Sequence, residues 1–353
     1  MTSPENRISI DTKSNFLAAC RQQPVSHIPV WFLRQAGRYM AAYREVRSRY
    51  SFLEMVKNPE AACQVTLQPV EAFGVDAAII FADILPPLEC LGFQLEFVHG
   101  EGPLIRNPLR EASQVARLKD PDPKRELAFT FEALRLARRR LEPRGTPLIG
   151  FAGAPFTLAS YAIEGGGSRD KALTKTWMRQ NPDAWAQFMT ILADLTAAYL
   201  TEQVAAGAQA LQLFDSWIGE LSPADYRVYV QPYSKRILSS VATLGVPLIH
   251  FGTGTAGFLE DLRDAGGHVL GLDWRVDPLE ASRRLGPQVA LQGNLDPTLL
   301  LGPWEVLRAE ADRLLEQLGS RPGFIFNVGH GLLPSTPEEQ VARLVEYVHN
   351  YAL

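Results

Sequence analysis

Cysteine is scarce in this chain. The three present, Cys20, Cys63 and Cys90, are odd in number, far apart and without a C-x-x-C pair. That excludes a disulfide framework or a cysteine-based zinc finger, and it leads us to expect reduced thiols in the cytoplasm. Long apolar runs are missing as well, so no stretch of 18 apolar residues offers a membrane span. The opening MTSPENRISIDTKSN is polar, with no basic-then-apolar leader, and no secretory signal is expected. Excess charge is small: a net −4 and a pI near 5.9 argue against general nucleic-acid binding while allowing a local basic pocket. There is no H-E-x-x-H, and His250 and His330 have no nearby cysteine, so no set of ligands for tetrahedral zinc is evident. No Pro/Ser/Gly-rich linker divides residues 1–353, which read as a single domain with residues 1–14 as a loose N-terminal segment.

What is present is a regular alternation. Hydrophobic residues make up 46% of the chain against 21% charged, enough for a sizeable core. Eight short, near-continuous apolar runs stand out: 29–34, 77–83, 147–153, 210–216, 247–252, 268–274, 289–296 and 324–331. Runs without polar alternation suit parallel strands covered on both faces. Segments of helical period lie between most of them, clearest in NPDAWAQFMTILADLTAAYLTEQVAAG and TPEEQVARLVEYVHNYA, each opening on a capping residue. This is the α/β pattern of a (β/α)8 TIM barrel. Long intervals follow the first two runs, which predicts extra structure in the first βα loop.

That loop holds FLRQAGRYMAAYREVRSRY, with five arginines (Arg34, Arg38, Arg44, Arg47 and Arg49) in sixteen positions. A barrel gathers its functional side chains where the strands end. The rule nominates Arg34, Gln35 and Arg38 after the first run, Asp83 after the second and Tyr161 after the third. It adds Asp215 and Ser216, His250, Asp273, Asn294 and Asp296, and His330 from the rest. Asp83 ends an apolar run, where a fixed negative charge acts strongly on a ligand's N–H donors. The glycines beside His330 admit close approach of the backbone to a ligand.

One motif points elsewhere. Gly252, Gly254 and Gly257 form G-x-G-x-x-G after an apolar run, and Asp273 follows at about the spacing of a dinucleotide fingerprint. It supports an alternative, an NAD(P)-dependent oxidoreductase using the GTGTAG loop. Against it, four strand-like runs of the βα alternation precede the motif and only two follow Asp273; the glycines also suit an anion-binding barrel loop.

Taken together, PVWFLRQAGRYMAAYREVR, FADILPPLECLG, GFAGAPFTLASYAIEGGGS, LQLFDSW, LQGNLDP and FNVGHGLLPSTP resemble the signature segments of the uroporphyrinogen decarboxylase family. The resemblance runs from about residue 15 to the C-terminus, in the family's order. It implies a homodimeric barrel, without cofactor or metal, that converts uroporphyrinogen III to coproporphyrinogen III by removing CO2 from four acetate side chains. It implies that Asp83 faces the pyrrole N–H groups, that Arg34, Gln35, Ala36, Gly37 and Arg38 form a substrate-binding loop, and that Arg47 binds a carboxylate. Tyr161, Ser216 and His330 match polar contacts and Phe214 an aromatic wall. Arg44 and Arg49 match no role, and Glu45 stands at a spacing for an ordinary surface pair with Arg49. A related branch, cobalamin-linked methyltransferases with a zinc–thiolate site, uses a His-x-Cys where this chain has His250 and Gly252. A noncatalytic tetrapyrrole carrier is the remaining alternative.

The chemistry fits the residues. A substrate with eight carboxylates calls for planar, bidentate cations, which arginine supplies better than lysine. A pyrrole protonated at the carbon bearing the acetate becomes its own electron sink, so no added cofactor is required. Candidate proton donors are Arg34, Tyr161 and His330; an arginine is a poor acid, with a reference pKa of about 12.5 or above, whereas a histidine cycles easily near neutrality.

Overall fold

The computed structural model describes residues 14–98, 100 and 102–352. Of the N-terminal segment expected to be loose, residues 1–13 lie outside the described residues; the Ser14 hydroxyl caps the helix Asn15–Cys20 by accepting from the Leu17 N–H. The strands are β1 (Ala78–Ile79), β2 (Leu95–Val98), β3 (Gly102–Ile105), β4 (Leu148–Gly153), β5 (Ala210–Asp215), β6 (Leu248–Gly252), β7 (Val269–Gly271), β8 (Ala290–Leu295) and β9 (Phe324–Val328).

Seven of the eight apolar runs thus contribute to one parallel sheet, ordered β1-β4-β5-β6-β7-β8-β9 among the described residues. Every residue of β4, β6, β8 and β9 is buried. Helices cover the outer face and side chains of neighbouring strands fill the inner one, which explains runs without polar alternation. The first run, 29–34, is reduced to a single parallel bridge between Val30 and Phe326. Its extended stretch is cut short because Arg34 takes a left-handed φ of 57° and the Gln35 N–H turns back to the Phe32 carbonyl at 3.0 Å. On its other side, the Asp76 N–H donates to the Val30 carbonyl at 2.8 Å.

The interval after the first run folds into helices Ala41–Arg49, Phe52–Lys57 and Pro59–Phe73, so the extra structure falls where its length predicts. The interval after β1 adds the antiparallel hairpin β2–β3. The two clearest helical segments become Pro182–Ala205 and Glu338–His349, but neither is capped as the sequence suggests. The Asn181 amide instead donates back to the Trp177 carbonyl at 3.1 Å, and the Thr336 hydroxyl accepts from the Leu333 N–H at 3.2 Å. Each cap-like residue closes the preceding turn, not the following helix.

The parity of β5 decides what faces the interior of the curled sheet. Gln212 and Phe214 point inward. The Trp31 indole N–H donates to Gln292 at 2.9 Å, and the Gln292 amide donates to Gln212 at 3.2 Å, a buried polar chain beneath the rim. Phe214 meets Phe151 and Phe251 edge-on, at 5.4 and 5.8 Å between centroids.

Candidate active site

The fold brings Asp83, Tyr161 and His330 within electrostatic range of Arg34. Arg34 acts on all three of the others, and Asp83 acts on Tyr161. The Asp83 carboxylate accepts from the Leu85 N–H at 2.9 Å, a local turn that fixes its direction. Burial pushes its pKa up to about 6, against the pull of the Leu85 N–H, Arg34 and the Ile84 N–H. The residue keeps some accessible surface although protein surrounds most of it. Ile84 packs on Gly153, the register partner of Phe214, so the aromatic wall stands next to Asp83.

Tyr161 lies on the helix Pro155–Glu164, with its ring 4.1 Å from that of Trp217. Burial, then the nearby Asp83, holds its hydroxyl up at about 12, so it is a neutral donor at pH 7. His330 is half-buried beside Trp274, at 5.7 Å between centroids; burial and then Arg34 lower its pKa, leaving a neutral imidazole at pH 7. The glycines flanking His330 serve close approaches within the protein. A Cβ on Gly329 would lie 2.7 Å from the Trp274 Cα, and one on Gly331 2.6 Å from the Arg34 Cγ.

In the arginine-rich loop, Arg38 and Arg47 are exposed and both lie close enough to Tyr43 to oppose the effect of its burial. Tyr43 meets Phe81, two residues before Asp83, edge-on at 5.8 Å. Arg47 also donates to the Tyr50 carbonyl at 2.5 Å. Gln35 is only 1% exposed, and its amide is committed to the loop itself. It accepts from the Phe32 N–H at 3.1 Å and donates to the Ala77 carbonyl at 3.0 Å. Ala36 packs on the core, and the Gly37 carbonyl accepts from the Met40 N–H at 3.0 Å to complete the turn. Arg44 donates to the carbonyls of Arg38, at 2.9 Å, and Tyr39, at 2.6 Å. Arg49 forms no ion pair with Glu45 among the described residues, so the expected surface pair is not made; the Glu45 carbonyl accepts from Ser48 instead.

Several residues nominated by the rim rule turn away from the cleft. Asp215 and His250, both fully buried, point outward to the helix layer: the Asp215 carboxylate accepts from Ser234 at 3.1 Å and stands 3.7 Å from His250. The Asn294 amide donates to the Asp273 and Val276 carbonyls at 2.8 and 2.7 Å. Asp296 caps the short helix after β8, accepting from the Thr298 N–H at 2.8 Å. Ser216 stays half-buried at the rim next to Phe214, its carbonyl accepting from Thr253 at 2.6 Å.

The glycine motif does not form a phosphate cradle. The Asp273 carboxylate accepts from the Gly254 N–H and from the Arg275 N–H. A Cβ on Gly219 would lie 2.7 Å from the Gly254 Cα. The loop is packed against its neighbour, its acidic residue is consumed, and the helix that follows, Leu259–Ala265, is only seven residues long.

Two residues at the site had no role in the sequence reading. Trp217 carries Tyr161 on its ring, and the Lys171 ammonium stands 3.6 Å above the Trp217 centroid. Lys171 is 3% exposed, with a left-handed φ of 53°, and donates to the Ser168 carbonyl. The only available signals were the tryptophan after Ser216 and the glycine run before Lys171.

Comparison with known proteins places the chain in a family. The family model described as "Uroporphyrinogen decarboxylase (URO-D)" matches residues 11–351. The chain is 53% identical over 346 residues to a uroporphyrinogen decarboxylase from Roseiflexus sp., covering 97% of this chain and 99% of the relative. It is 54% identical over 345 residues to that of Chloroflexus aggregans, covering 97% and 96%. Among solved structures, a methyltransferase from Methanosarcina mazei superposes with a TM-score of 0.76 at 21% identity, covering 95% of this chain and 97% of that one, which speaks to the fold alone. This chain belongs to the uroporphyrinogen decarboxylase family.

Proposed function

We propose that the cleft binds uroporphyrinogen III and removes CO2 from its four acetate side chains, leaving methyl groups. The observation that carries this is Asp83, a carboxylate four residues past β1, with its pKa raised and no salt bridge among the described residues. Such a group is free to accept from pyrrole N–H donors. It stabilises the cation formed when a ring carbon is protonated, and preorganised charges of this kind contribute several kcal/mol. The protonated ring draws the electron pair released as the C–CO2 bond breaks. One proton then replaces each CO2, so the carbon skeleton needs no external electron carrier.

Arg34, Arg38 and Arg47 receive the substrate's carboxylates in this reading. Neutral Tyr161 and His330 orient the macrocycle as donors, and Arg34, Tyr161 and His330 are the candidates for passing the proton to the ring. Phe214, Ser216 and Trp217 line the wall. Gln35, Ala36 and Gly37 contribute by holding the loop in shape.

The same reading takes the chain as one (β/α)8 barrel domain, supported by Val30, which bridges to Phe326 on one side and bonds to Asp76 on the other. It includes a cytoplasmic homodimer. Exposed Trp274 and Val306 line one depression of about 300 Å³ that a second rim could cover.

The test is anaerobic incubation with uroporphyrinogen, without metal or nucleotide, following stepwise loss of carboxyl groups. Binding without CO2 release would replace the reading with a carrier, and dependence on NAD(P) would replace it with an oxidoreductase.

A further inference from the structure

We infer that His27, Asp76 and His349 form a binding site for one divalent transition-metal ion, at the end of the sheet opposite the cleft. His27 precedes the first run, Asp76 precedes β1, and His349 ends the helix Glu338–His349. The sheet therefore brings together three residues separated by 49 and 273 positions in the chain.

Nε2 of His27 lies 2.8 Å from one Asp76 carboxylate oxygen, and Nε2 of His349 lies 2.7 Å from the other. The two rings are 4.5 Å apart between centroids, and one ligand atom from each of the three residues falls within 4.8 Å of the other two. Side-chain exposures of 30%, 14% and 26% leave the group walled by protein yet reachable from solvent.

Two imidazoles and one carboxylate are a donor set for zinc and its neighbours, with a fourth position left for water. Metal–ligand bonds of about 2.0–2.1 Å in a tetrahedron separate ligand atoms by roughly 3.3 Å, so ligand atoms already within 4.8 Å of one another need to close by no more than about 1.5 Å. On binding, each Nε2 proton moves to Nδ1 or to solvent, and the nitrogen lone pair takes its place. One outer partner is present: the Val30 N–H donates to Asp76 at 2.7 Å. The ion would tie together the two sides of the seam that Val30 otherwise holds by isolated backbone bonds.

The test is isothermal titration of the full chain with Zn2+, with parallel melting curves. One equivalent should bind and raise Tm. His349→Gln and His27→Gln can each still donate to Asp76 but supply no imidazole; each should weaken binding by at least about tenfold and abolish the zinc-dependent rise. A full-affinity equivalent retained in both variants, or no saturable binding to the wild type, would overturn the site. Both glutamine variants should melt near the wild type without zinc, which separates a lost ligand from a lost hydrogen bond.

Discussion

The side chain of Arg34 lies across the bare face of Gly331, where a Cβ would come within 2.6 Å of the Arg34 Cγ and 2.9 Å of its Nε. The guanidinium is therefore aimed by the absence of a side chain on another loop. Gly331 has no left-handed φ, so its backbone accepts alanine. Gly331→Ala should displace Arg34 while sparing the fold. We expect kcat/KM to fall roughly 10²-fold, the scale of a misplacement of about 1 Å, with little change in Tm. Unchanged kinetics would mean that the placement of Arg34 is not critical.

Asp83→Asn retains an oxygen for the Leu85 N–H but removes the charge. Steady-state CO2 release should drop by about 10²–10³-fold, as when one preorganised electrostatic group is removed. Circular dichroism and Tm should stay native or improve slightly, because a desolvated anion is gone. Release at the wild-type rate would remove Asp83 from the mechanism.

The raised pKa of Asp83 sets a pH dependence. Its ionised form is the one proposed to act, so kcat/KM should rise with pH along an acid limb centred near 6. The sign for stability is opposite. Because the folded pKa lies above the unfolded one, near 3.9, Asp83 favours folding fully below that lower value, and the contribution is lost as pH rises through about 6. Wild type measured against Asp83→Asn should thus lose relative stability between about pH 4 and 6 while gaining activity. A flat kcat/KM profile across that window would contradict the assignment.

Arg38 and Gln35 lie three residues apart and should fail differently. Arg38 is exposed, so Arg38→Ala should raise KM and leave Tm unchanged. Gln35→Ala strands the buried Phe32 N–H and Ala77 carbonyl, and should cost about 2–4 kcal/mol in denaturant unfolding. If the two phenotypes are exchanged, the division of the loop into contact and scaffold is wrong.

Why these residues divide as they do shows what the chain made legible. Burial on both faces writes strands as continuous apolar runs, which located β1 and β4–β9 to within a few residues. The same continuity hides parity. Nothing in ALQLFDS tells whether Phe214 or Asp215 faces inward, so Asp215 and His250 could be nominated for the cleft when they face the helices. The glycine motif misled for a related reason: Gly219, Gly252 and Gly254 relieve loop-on-loop packing, a demand set by neighbours distant in sequence. Trp217 with Lys171, and His27 with Asp76 and His349, meet only once the fold has formed. Family motifs drew attention to Arg34, Asp83, Tyr161 and His330, while the partners that aim them had to be seen in place.

Arg44 is such a partner. It matches no substrate contact, yet its guanidinium joins the carbonyls of Arg38 and Tyr39 at the turn that presents Arg38. Tyr39 in turn donates to the Gln35 carbonyl at 2.5 Å, so one cation secures the far end of a loop whose near end is held by Gln35. Removing it should loosen presentation more than it weakens folding, since the bond to Arg38 is exposed and that to Tyr39 only partly buried, and the lost bonds contribute only about 1 kcal/mol. Arg44→Ala should therefore raise KM by about tenfold, with kcat nearly retained. Arg44→Lys can keep one of the two bonds and should recover part of the affinity. An alanine variant with wild-type KM would return Arg44 to the solvated face of its helix.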